Sequence, residues 1–259
     1  MTREDAVALL RAAGIPDAAT DVRRLWDYAA ALDDPEAGFD AAVQKRLDRM
    51  PVAKIIKRRA FWKSDFLVSP GVLDPRPETE ALVELALAEP FTKVLDLGTG
   101  SGCIIVSLLV ERPAAQGVAT DVSVEAMRVA GENAAKHAVA DRLVLPLSDW
   151  FDDVGGRFDL IVSNPPYIAV NEMADLAPEV RDHEPREALT DEADGLGAYR
   201  IIARHAPDHL RPGGRVLVEI GPTQAAAVAG FFRAAGLEDV TVHPDLDGRD
   251  RVVSARTQR

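Results

Sequence analysis

Residues 163–168 read Ser-Asn-Pro-Pro-Tyr-Ile and combine an amide, two prolines and an aromatic ring directly behind an apolar run. That run, residues 158–162, is typical of a buried parallel strand, and neither Pro165 nor Pro166 can donate the backbone hydrogen bond that would extend it. We therefore expect residues 163–168, the Asn164 loop, to be rigid. The loop would lie at the carboxyl end of the strand, where open α/β sheets bind their ligands.

Asn164 carries one amide oxygen that accepts hydrogen bonds and one NH2 group that donates them, without a charge near neutral pH. Its oxygen and the carbonyl of Pro165 are two acceptors that can converge on one NH2 group, while the ring of Tyr167 can stack on a flat substrate. The loop therefore predicts catalytic roles for Asn164, Pro165 and Tyr167, and a substrate with an amide or an exocyclic amine. The alternative is a loop in which the asparagine only satisfies a turn.

A second candidate site lies in residues 93–111, which predict a strand, a glycine turn and a helix. The turn, residues 98–102, reads Gly-Thr-Gly-Ser-Gly and allows the backbone to approach a ligand closely. Asp121 ends the next predicted strand and is placed to accept hydrogen bonds from ribose hydroxyls. Because the spacing departs from the Gly-x-Gly-x-x-Gly of dinucleotide-binding folds, it indicates a nucleoside ligand such as S-adenosylmethionine in preference to NAD.

Asp149 and Trp150 come shortly after the third strand that the pattern predicts, residues 143–145. At that position they are placed to meet an adenine, the carboxylate by a hydrogen bond and the indole by stacking. We expect both to bind the cofactor. The alternative is a loop that contains a tryptophan of the core.

Arg76 stands between Pro75 and Pro77, immediately before an amphipathic run. Pro77 and the carboxylates that follow it suit the first turn of a helix, where the macrodipole favours negative charge. An ordinary helix start does not require an arginine held between two prolines. We therefore predict that Arg76 contributes to substrate binding.

The overall composition restricts the class of protein. The 259 residues contain 30 lysines and arginines against 42 aspartates and glutamates, a net charge of −12, so the surface would repel phosphate backbones and direct binding of nucleic acid is not expected. Cys103 is the only cysteine, which excludes an intramolecular disulfide and a cysteine-based zinc cluster, and no metal is expected. No apolar run reaches membrane-spanning length and the first residues have no signal region, so we expect a monomeric cytoplasmic protein without a membrane partner.

The pattern along the chain divides it into three parts. Residues 1–50 show helical periodicity and predict a small helical domain, which we expect to dock the substrate, and residues 51–75 predict a hairpin linker that turns at residues 63–65. From residue 76 to residue 259, strands and helices alternate, which predicts a doubly wound α/β sheet. Residues 173–193, the lid segment, are charged and interrupted by proline, as is typical of a functional lid or a disordered loop.

A basic cluster interrupts this acidic chain between residues 45 and 63. Its members are Lys45, Arg46, Arg49, Lys54, Lys57, Arg58, Arg59 and Lys63. Such a charge asymmetry can mark the surface on which a partner docks, and the alternative is a solvated face without a partner.

Together these motifs resemble the release-factor glutamine methyltransferases, the HemK or PrmC family of protein-(glutamine-N5) methyltransferases. The resemblance covers essentially the whole chain and is carried by the residues just described, together with Pro-Arg-Pro-Glu-Thr-Glu at residues 75–80 and Glu-Pro-Arg at residues 184–186. Asn-Pro-Pro-Tyr alone also occurs in enzymes that methylate adenine or guanine amines, but its combination with residues 75–80 is narrower. The chain departs from the family at Lys57, where glycine is frequent, and at Asp74, where an apolar residue is usual.

The resemblance implies a seven-stranded S-adenosylmethionine-dependent methyltransferase sheet in residues 76–259 and the methylation of a glutamine in the Gly-Gly-Gln motif of peptide chain release factors. It also implies cofactor-binding roles for Gly98, Thr99, Gly100, Ser101, Gly102, Asp121, Trp150 and Asn164. The substrate glutamine would be held by Asn164, Pro165, Pro166 and Tyr167. Two alternatives stay open: a methyltransferase for nucleic-acid amines, and a binding module that has kept the fold but lost the chemistry.

Overall fold

The computed structural model describes residues 1–245 and 247–259. The α-helices of the described residues are α1 (Arg3–Ala12), α2 (Ala18–Ala29), α3 (Pro35–Leu47), α4 (Val52–Ile56), α5 (Glu80–Leu87), α6 (Cys103–Glu111), α7 (Val124–Lys136), α8 (Pro178–Arg181), α9 (Gly197–His209) and α10 (Ala225–Ala234). The strands are β1 (Arg58–Phe61), β2 (Ser64–Leu67), β3 (Lys93–Leu97), β4 (Gln116–Thr120), β5 (Leu143–Val144), β6 (Phe158–Ser163), β7 (Leu210–Glu219), β8 (Glu238–Pro244) and β9 (Asp250–Arg256). None of the described helices is long and apolar enough to cross a membrane.

Seven strands form one sheet in the order β5-β4-β3-β6-β7-β9-β8. The strands from β5 to β7 in this order run parallel, whereas β9 is antiparallel to both of its neighbours. The predicted doubly wound seven-stranded sheet is therefore confirmed. In the centre of the sheet Leu97 of β3 pairs with Ser163 of β6, so the glycine turn and the Asn164 loop leave adjacent strands at the same edge.

The central strands are largely apolar on both faces, as is typical of a parallel sheet that helices cover from both sides. Along β6, Leu160 and Val162 belong to a buried cluster that also contains residues of α5 and α6. Ile161 points to the other face and belongs to a cluster with residues of α9 and α10. Alternation along the strand thus anchors β6 from two sides, and this fixes the position at which the Asn164 loop begins.

The first four helices share a hydrophobic core, which includes Leu10, Leu25 and Phe39 and to which α4 contributes Val52 and Ile55. Helix α1 begins at a capping box formed by Thr2 and Asp5, and Trp26 packs edge-on against Phe39 with ring centroids 5.1 Å apart. The helices expected in residues 1–50 are present in the structure. The division of the chain into domains at residues 50 and 75 stays a prediction.

The hairpin in residues 51–75 turns earlier than we predicted. Phe61 pairs with Ser64, so the turn consists of Trp62 and Lys63 and not of residues 63–65. The reason lies outside the hairpin: the backbone N–H of Trp62 donates to Glu80 Oε1 at 2.8 Å and its indole N–H to Glu111 Oε1 at 3.0 Å. Just before the hairpin, Lys57 adopts a φ of 56°, a left-handed conformation that explains why glycine is frequent at this position in the family it resembles.

Most cations of the basic cluster are engaged within the chain. Arg46 pairs with Asp21 and Glu179, Arg49 with Glu179, Lys54 with Asp74 and Glu184, Arg58 with Asp65, and Lys63 with Glu111, while Arg59 donates to the carbonyl of Pro75. Arg46 and Lys54 are only 6% and 5% exposed. These contacts give the cluster an internal role in joining the N-terminal helices to the rest of the chain.

The lid segment has short helical turns and contacts the N-terminal helices. Glu179 of α8 lies 3.3 Å from a guanidinium nitrogen of both Arg46 and Arg49. The ring of His183 lies 2.8 Å from the carbonyl of Asp48, which caps α3. Charged and polar side chains of the lid segment thus hold it against residues 46–49.

Candidate active site

The glycine turn after β3 requires glycine for two different reasons. Gly98 and Gly100 adopt φ values of 67° and 54°, and a Cβ built on either would meet nothing within 4 Å. Both residues line a cavity, so the space that a side chain would take belongs to that cavity. At Gly102, by contrast, a Cβ would lie 3.1 Å from the Cβ of Ala130, so glycine there permits close packing against α7.

Asp121 connects the glycine turn to the next strand. Its Oδ2 accepts a hydrogen bond from the backbone N–H of Gly100 at 2.9 Å, and its Oδ1 accepts one from Ser123 at 2.9 Å. Burial raises the pKa of this carboxyl, while the backbone hydrogen bonds oppose the rise. Since each carboxylate oxygen has a second lone pair, Asp121 can hold the turn and still accept hydrogen bonds from a ligand.

The first cavity collects most of the predicted cofactor-binding residues at the carboxyl edge of the sheet. Those that line it are Gly98, Thr99, Gly100, Ser101, Asp121, Asp149, Trp150 and Asn164. Gly102 does not line the cavity. The cofactor roles of these residues stay predictions, but their convergence on one cavity is what a nucleoside site at this edge requires.

The Asn164 loop lies between this cavity and a second one. The side-chain NH2 of Asn164 donates to the hydroxyl of Thr79 at 3.1 Å, and no described residue donates to its amide oxygen. Asn164 lines both cavities, and so do Leu73, Arg76 and Ala188. The amide oxygen of Asn164 is thus an available acceptor in the wall between the two cavities.

The second cavity has a volume of about 650 Å³ and is lined by Pro165 and Tyr167 of the Asn164 loop. Gly195 packs closely against the Asn164 loop and adopts a φ of 72°. A Cβ at this position would lie only 2.3 Å from the carbonyl oxygen of Tyr167, so the close contact requires glycine. The side chain of Gln224 donates to the same carbonyl at 2.8 Å. Burial raises the pKa of the Tyr167 hydroxyl to about 12, so this side chain stays neutral in the physiological range. Pro166 faces the first cavity instead of the second.

Arg76 is fixed by an ion pair and not only by its flanking prolines. Its Nη2 lies 2.8 Å from Oε1 of Glu184, whose Oε2 lies 3.0 Å from the buried ammonium of Lys54. Asp74 lies 3.6 Å from the same ammonium, which accounts for a charged residue where the family usually has an apolar one. Arg76 is therefore held at the wall between the cavities by residues from α4 and the lid segment.

Sequence reasoning missed Thr79 and Glu219 as members of this site. Thr79 lines the first cavity and Glu219 the second, although both are almost completely buried. The sequence did contain one signal for Glu219: it is the single carboxylate within the apolar run Val216 to Ile220, and a buried strand ordinarily carries no charge. No group of three or more histidine, cysteine, aspartate or glutamate side chains that could hold a metal ion occurs in residues 1–245 and 247–259.

The comparisons with known proteins agree with this geometry. The family model described as "Methyltransferase small domain" matches residues 67–182. A "Release factor glutamine methyltransferase" of Cereibacter sphaeroides is 60% identical over 97% of this chain and 95% of its own length. A protein of the same description from Caulobacter vibrioides is 43% identical over 94% of this chain and 91% of its own length. The crystal structure of a methyltransferase from Pyrococcus furiosus has a TM-score of 0.60 and 18% identity, and the match covers 85% of this chain and 98% of that one.

The seven-stranded sheet, the match to the methyltransferase family model and the two relatives together show that the chain is a methyltransferase. The identity of 60% over almost the full length makes the assignment narrower. The chain belongs to the release factor glutamine methyltransferase family.

Proposed function

We propose that this protein transfers a methyl group from S-adenosylmethionine to the side-chain amide nitrogen of the glutamine in the Gly-Gly-Gln motif of peptide chain release factors. The observation that carries the proposal is Asn164, which faces both cavities at once and has its amide oxygen available. Membership in the family supplies the substrate class. We further propose that the protein acts as a monomer in the cytoplasm, where translation ends.

The first cavity suits S-adenosylmethionine. Gly98 and Gly100 leave open space where a side chain would otherwise enter the cavity, and Asp121 has lone pairs left for ribose hydroxyls. Asp149 and Trp150 lie on the same cavity and suit an adenine. When bound there, S-adenosylmethionine supplies an electrophilic methyl group on a positively charged sulfur.

The second cavity suits the glutamine and the residues around it. Its volume of about 650 Å³ lies in the range of ligand pockets and exceeds what one amide side chain fills, so it also has room for the main chain of a glycine-rich loop. The half-buried ring of Tyr167 offers a flat apolar surface to the carboxamide. Arg76, held by Glu184, lies at the wall that the substrate amide would reach.

The residues of the Asn164 loop account for the activation of a poor nucleophile. An amide nitrogen reacts slowly because its lone pair is delocalised into the carbonyl. The Oδ1 of Asn164 and the carbonyl of Pro165 would accept its two hydrogens, polarise the NH2 group and orient its lone pair, so that alignment does most of the work. As the nitrogen gains the methyl group it becomes acidic and loses one proton without a strong base.

A methylation assay tests the proposal directly. Purified enzyme and S-adenosylmethionine are offered a release factor, the same factor with Gly-Gly-Gln changed to Gly-Gly-Glu, total RNA and DNA, and products are read by mass spectrometry. We expect a gain of one methyl group on the glutamine of the unchanged factor alone. Methylation of RNA or DNA in place of the protein would instead identify an enzyme for nucleic-acid amines.

A further inference from the structure

Lys54 is a buried lysine to which the proposed reaction gives no role. It lies in α4, lines neither cavity, and has only 2% of its side-chain surface exposed. Lysine is almost never fully buried unless its charge is paired, because the removal of an ammonium from water is costly. The partners of this ammonium therefore indicate what depends on it, and they come from two segments of the chain.

The first segment follows β2. The ammonium of Lys54 donates hydrogen bonds to the carbonyls of Ser69, at 2.8 Å, and Val72. The same ammonium lies 3.6 Å from Oδ1 of Asp74. Residues 71–76 line the first cavity. Lys54 thus attaches one wall of that cavity to α4.

The second segment belongs to the lid segment. The side chain of Glu184 is completely buried, and its Oε2 lies 3.0 Å from the same ammonium. This oxygen also accepts a hydrogen bond from the backbone N–H of Asp74 at 3.3 Å, although the two residues are 110 positions apart in the sequence. Pro185 and Ala188, which follow Glu184, line the first cavity. Two walls of the cavity therefore meet at the ammonium of Lys54.

The charges at this junction balance. It contains two cations and two carboxylates, namely Lys54, Arg76, Asp74 and Glu184. Arg76 pairs with Oε1 of Glu184 at 2.8 Å. The only ion pair of Asp74 among the described residues is with Lys54. Without Lys54, two buried carboxylates would share a single cation and would repel each other across the junction.

We propose that Lys54 is a positioning residue, which joins the lid segment to residues 69–76 and thereby holds two walls of the first cavity at the spacing that S-adenosylmethionine requires. The inference rests on the proposed function, which assigns S-adenosylmethionine to this cavity. Lys54 acts through Asp74 and Glu184. Because α4 shares the core of the N-terminal helices, the same contacts connect those helices to the cofactor-binding edge of the sheet.

The alternative is that these buried charges only stabilise the fold. In that case the removal of Lys54 would lower the free energy of unfolding but would leave the affinity of the folded protein for S-adenosylmethionine unchanged. The experiment therefore measures the affinity and the protection of the two walls, both in folded protein.

Calorimetric titration with S-adenosylmethionine compares the wild type with Lys54→Met, Glu184→Gln and the double variant, each shown to be folded by circular dichroism. Lys54→Met keeps the apolar length of the side chain and removes its charge. We expect it to raise the dissociation constant by about tenfold to a hundredfold, the scale of lost charge-assisted hydrogen bonds. Glu184→Gln should have a similar effect with little change in shape, so it tests the junction even if Lys54→Met does not fold. The double variant should raise the dissociation constant by less than the product of the two single effects.

Lys136→Met is the matched control. The ammonium of Lys136 likewise holds a carboxylate and a main-chain carbonyl, since it lies 2.8 Å from Oδ2 and 2.6 Å from the carbonyl oxygen of Asp65. It joins α7 to β2 but lines neither cavity. Its removal should leave the dissociation constant within about twofold of the wild type. If Lys54→Met or Glu184→Gln is folded and binds with the affinity of this control, the proposal is overturned.

Hydrogen exchange of the unliganded protein, followed by mass spectrometry, separates this inference from the proposed function. In Lys54→Met the amides of residues 69–76 and 184–189 should exchange at least about tenfold faster, while those of the central strand β3 keep the wild-type rate. Equally faster exchange in β3, with an unchanged affinity, would show a role in global stability alone and overturn the proposal.

Two results distinguish the failure of each idea. If the wild type does not bind S-adenosylmethionine but faster exchange in Lys54→Met is confined to the two walls, the proposed function fails and the junction at Lys54 stands. If the wild type methylates the release factor but the two walls of Lys54→Met keep their wild-type exchange, the positioning role fails.

Discussion

Arg46 decides between two interpretations of the basic cluster. As a surface cation it would attract a partner, and its removal would weaken docking without affecting the fold. In the structure it is 6% exposed, and its Nε lies 2.8 Å from Asp21 of α2 while its Nη1 lies 3.3 Å from Glu179 of the lid segment. We therefore expect Arg46→Met, which keeps a long apolar side chain but removes the charge, to destabilise the protein.

The magnitude follows from the two contacts. The pair with Asp21 is short and both side chains are largely buried, with 7% and 13% of their side-chain surfaces exposed, which suggests about 2 kcal/mol for a charge-assisted hydrogen bond. The contact with Glu179 is longer and is shared with Arg49, so we assign it less than about 1 kcal/mol. The expected loss in the free energy of unfolding is about 2 to 3 kcal/mol.

Urea unfolding followed by circular dichroism measures this loss, and with a slope of about 2 to 3 kcal/mol per molar urea the midpoint should fall by about 1 M. The matched control is Arg181→Met, since Arg181 is an arginine of the lid segment whose only ion pair in the described residues is with its exposed neighbour Asp182. This control should leave the urea midpoint close to that of the wild type, because solvent screens an exposed ion pair. The double variant of Arg46→Met with Asp21→Asn should lose less than the sum of the two single variants.

The pH dependence provides an independent check. Burial would raise the pKa of Glu179, but hydrogen bonds, including those from Arg49 and Arg46, lower it below its ordinary value. A lowered pKa means that the contribution of Glu179 to stability is fully present above the unfolded pKa of about 4.3 and is lost as the pH falls through the folded value. The difference in the free energy of unfolding between wild type and Arg46→Met should therefore become smaller as the pH falls through this range. If the urea midpoint of Arg46→Met equals that of Arg181→Met and the KM for the release factor is raised, the structural role of Arg46 is refuted and a role in docking the substrate is favoured.

Four further predictions concern the site and the sheet. Asn164→Ala should abolish methyl transfer in the mass-spectrometric assay while the urea midpoint stays near that of the wild type, because the residue supports no core; near-normal turnover would contradict the two-acceptor mechanism. Asp121→Ala should weaken S-adenosylmethionine binding by about 1 to 3 kcal/mol in calorimetric titration, and an unchanged affinity would mean that the carboxylate does not contact the ribose. Gly195→Ala, at a φ of 72° and 2.3 Å from the carbonyl of Tyr167, should lower both the urea midpoint and kcat, and wild-type values of both would show that the loop tolerates the side chain. Burial would raise the pKa of Asp159, but hydrogen bonds lower it to about 2. Asp159→Ala should therefore destabilise the protein at pH 7, and this loss should disappear between about pH 4 and pH 2. A difference in the free energy of unfolding that stays constant as the pH falls would refute this role of Asp159.

Several parts of the fold and the site follow from local sequence. Pro165 and Pro166 end β6 because they lack backbone donors, and the glycines of residues 98–102 adopt left-handed conformations that other residues avoid. The alternation of strands and helices predicts the sheet, and the loops that follow parallel strands necessarily lie together at the carboxyl edge. These constraints act within a few residues of the chain, so the elements they determine could be predicted without knowing which distant segments come into contact.

The hydrogen-bond partners were decided only by the tertiary structure. Thr79 precedes α5 and Asn164 follows β6, and nothing in the spacing of these two residues indicates that the side chain of Asn164 donates to the hydroxyl of Thr79. The same holds for the basic cluster, since charge counted along the sequence does not reveal that Arg46 faces Asp21 and Glu179. The sequence by itself determined where the Asn164 loop would stand and which groups it would offer. Which way those groups point depends on buried partners up to 85 residues away, because hydrogen bonds between side chains are set by distance in space and not by separation along the chain.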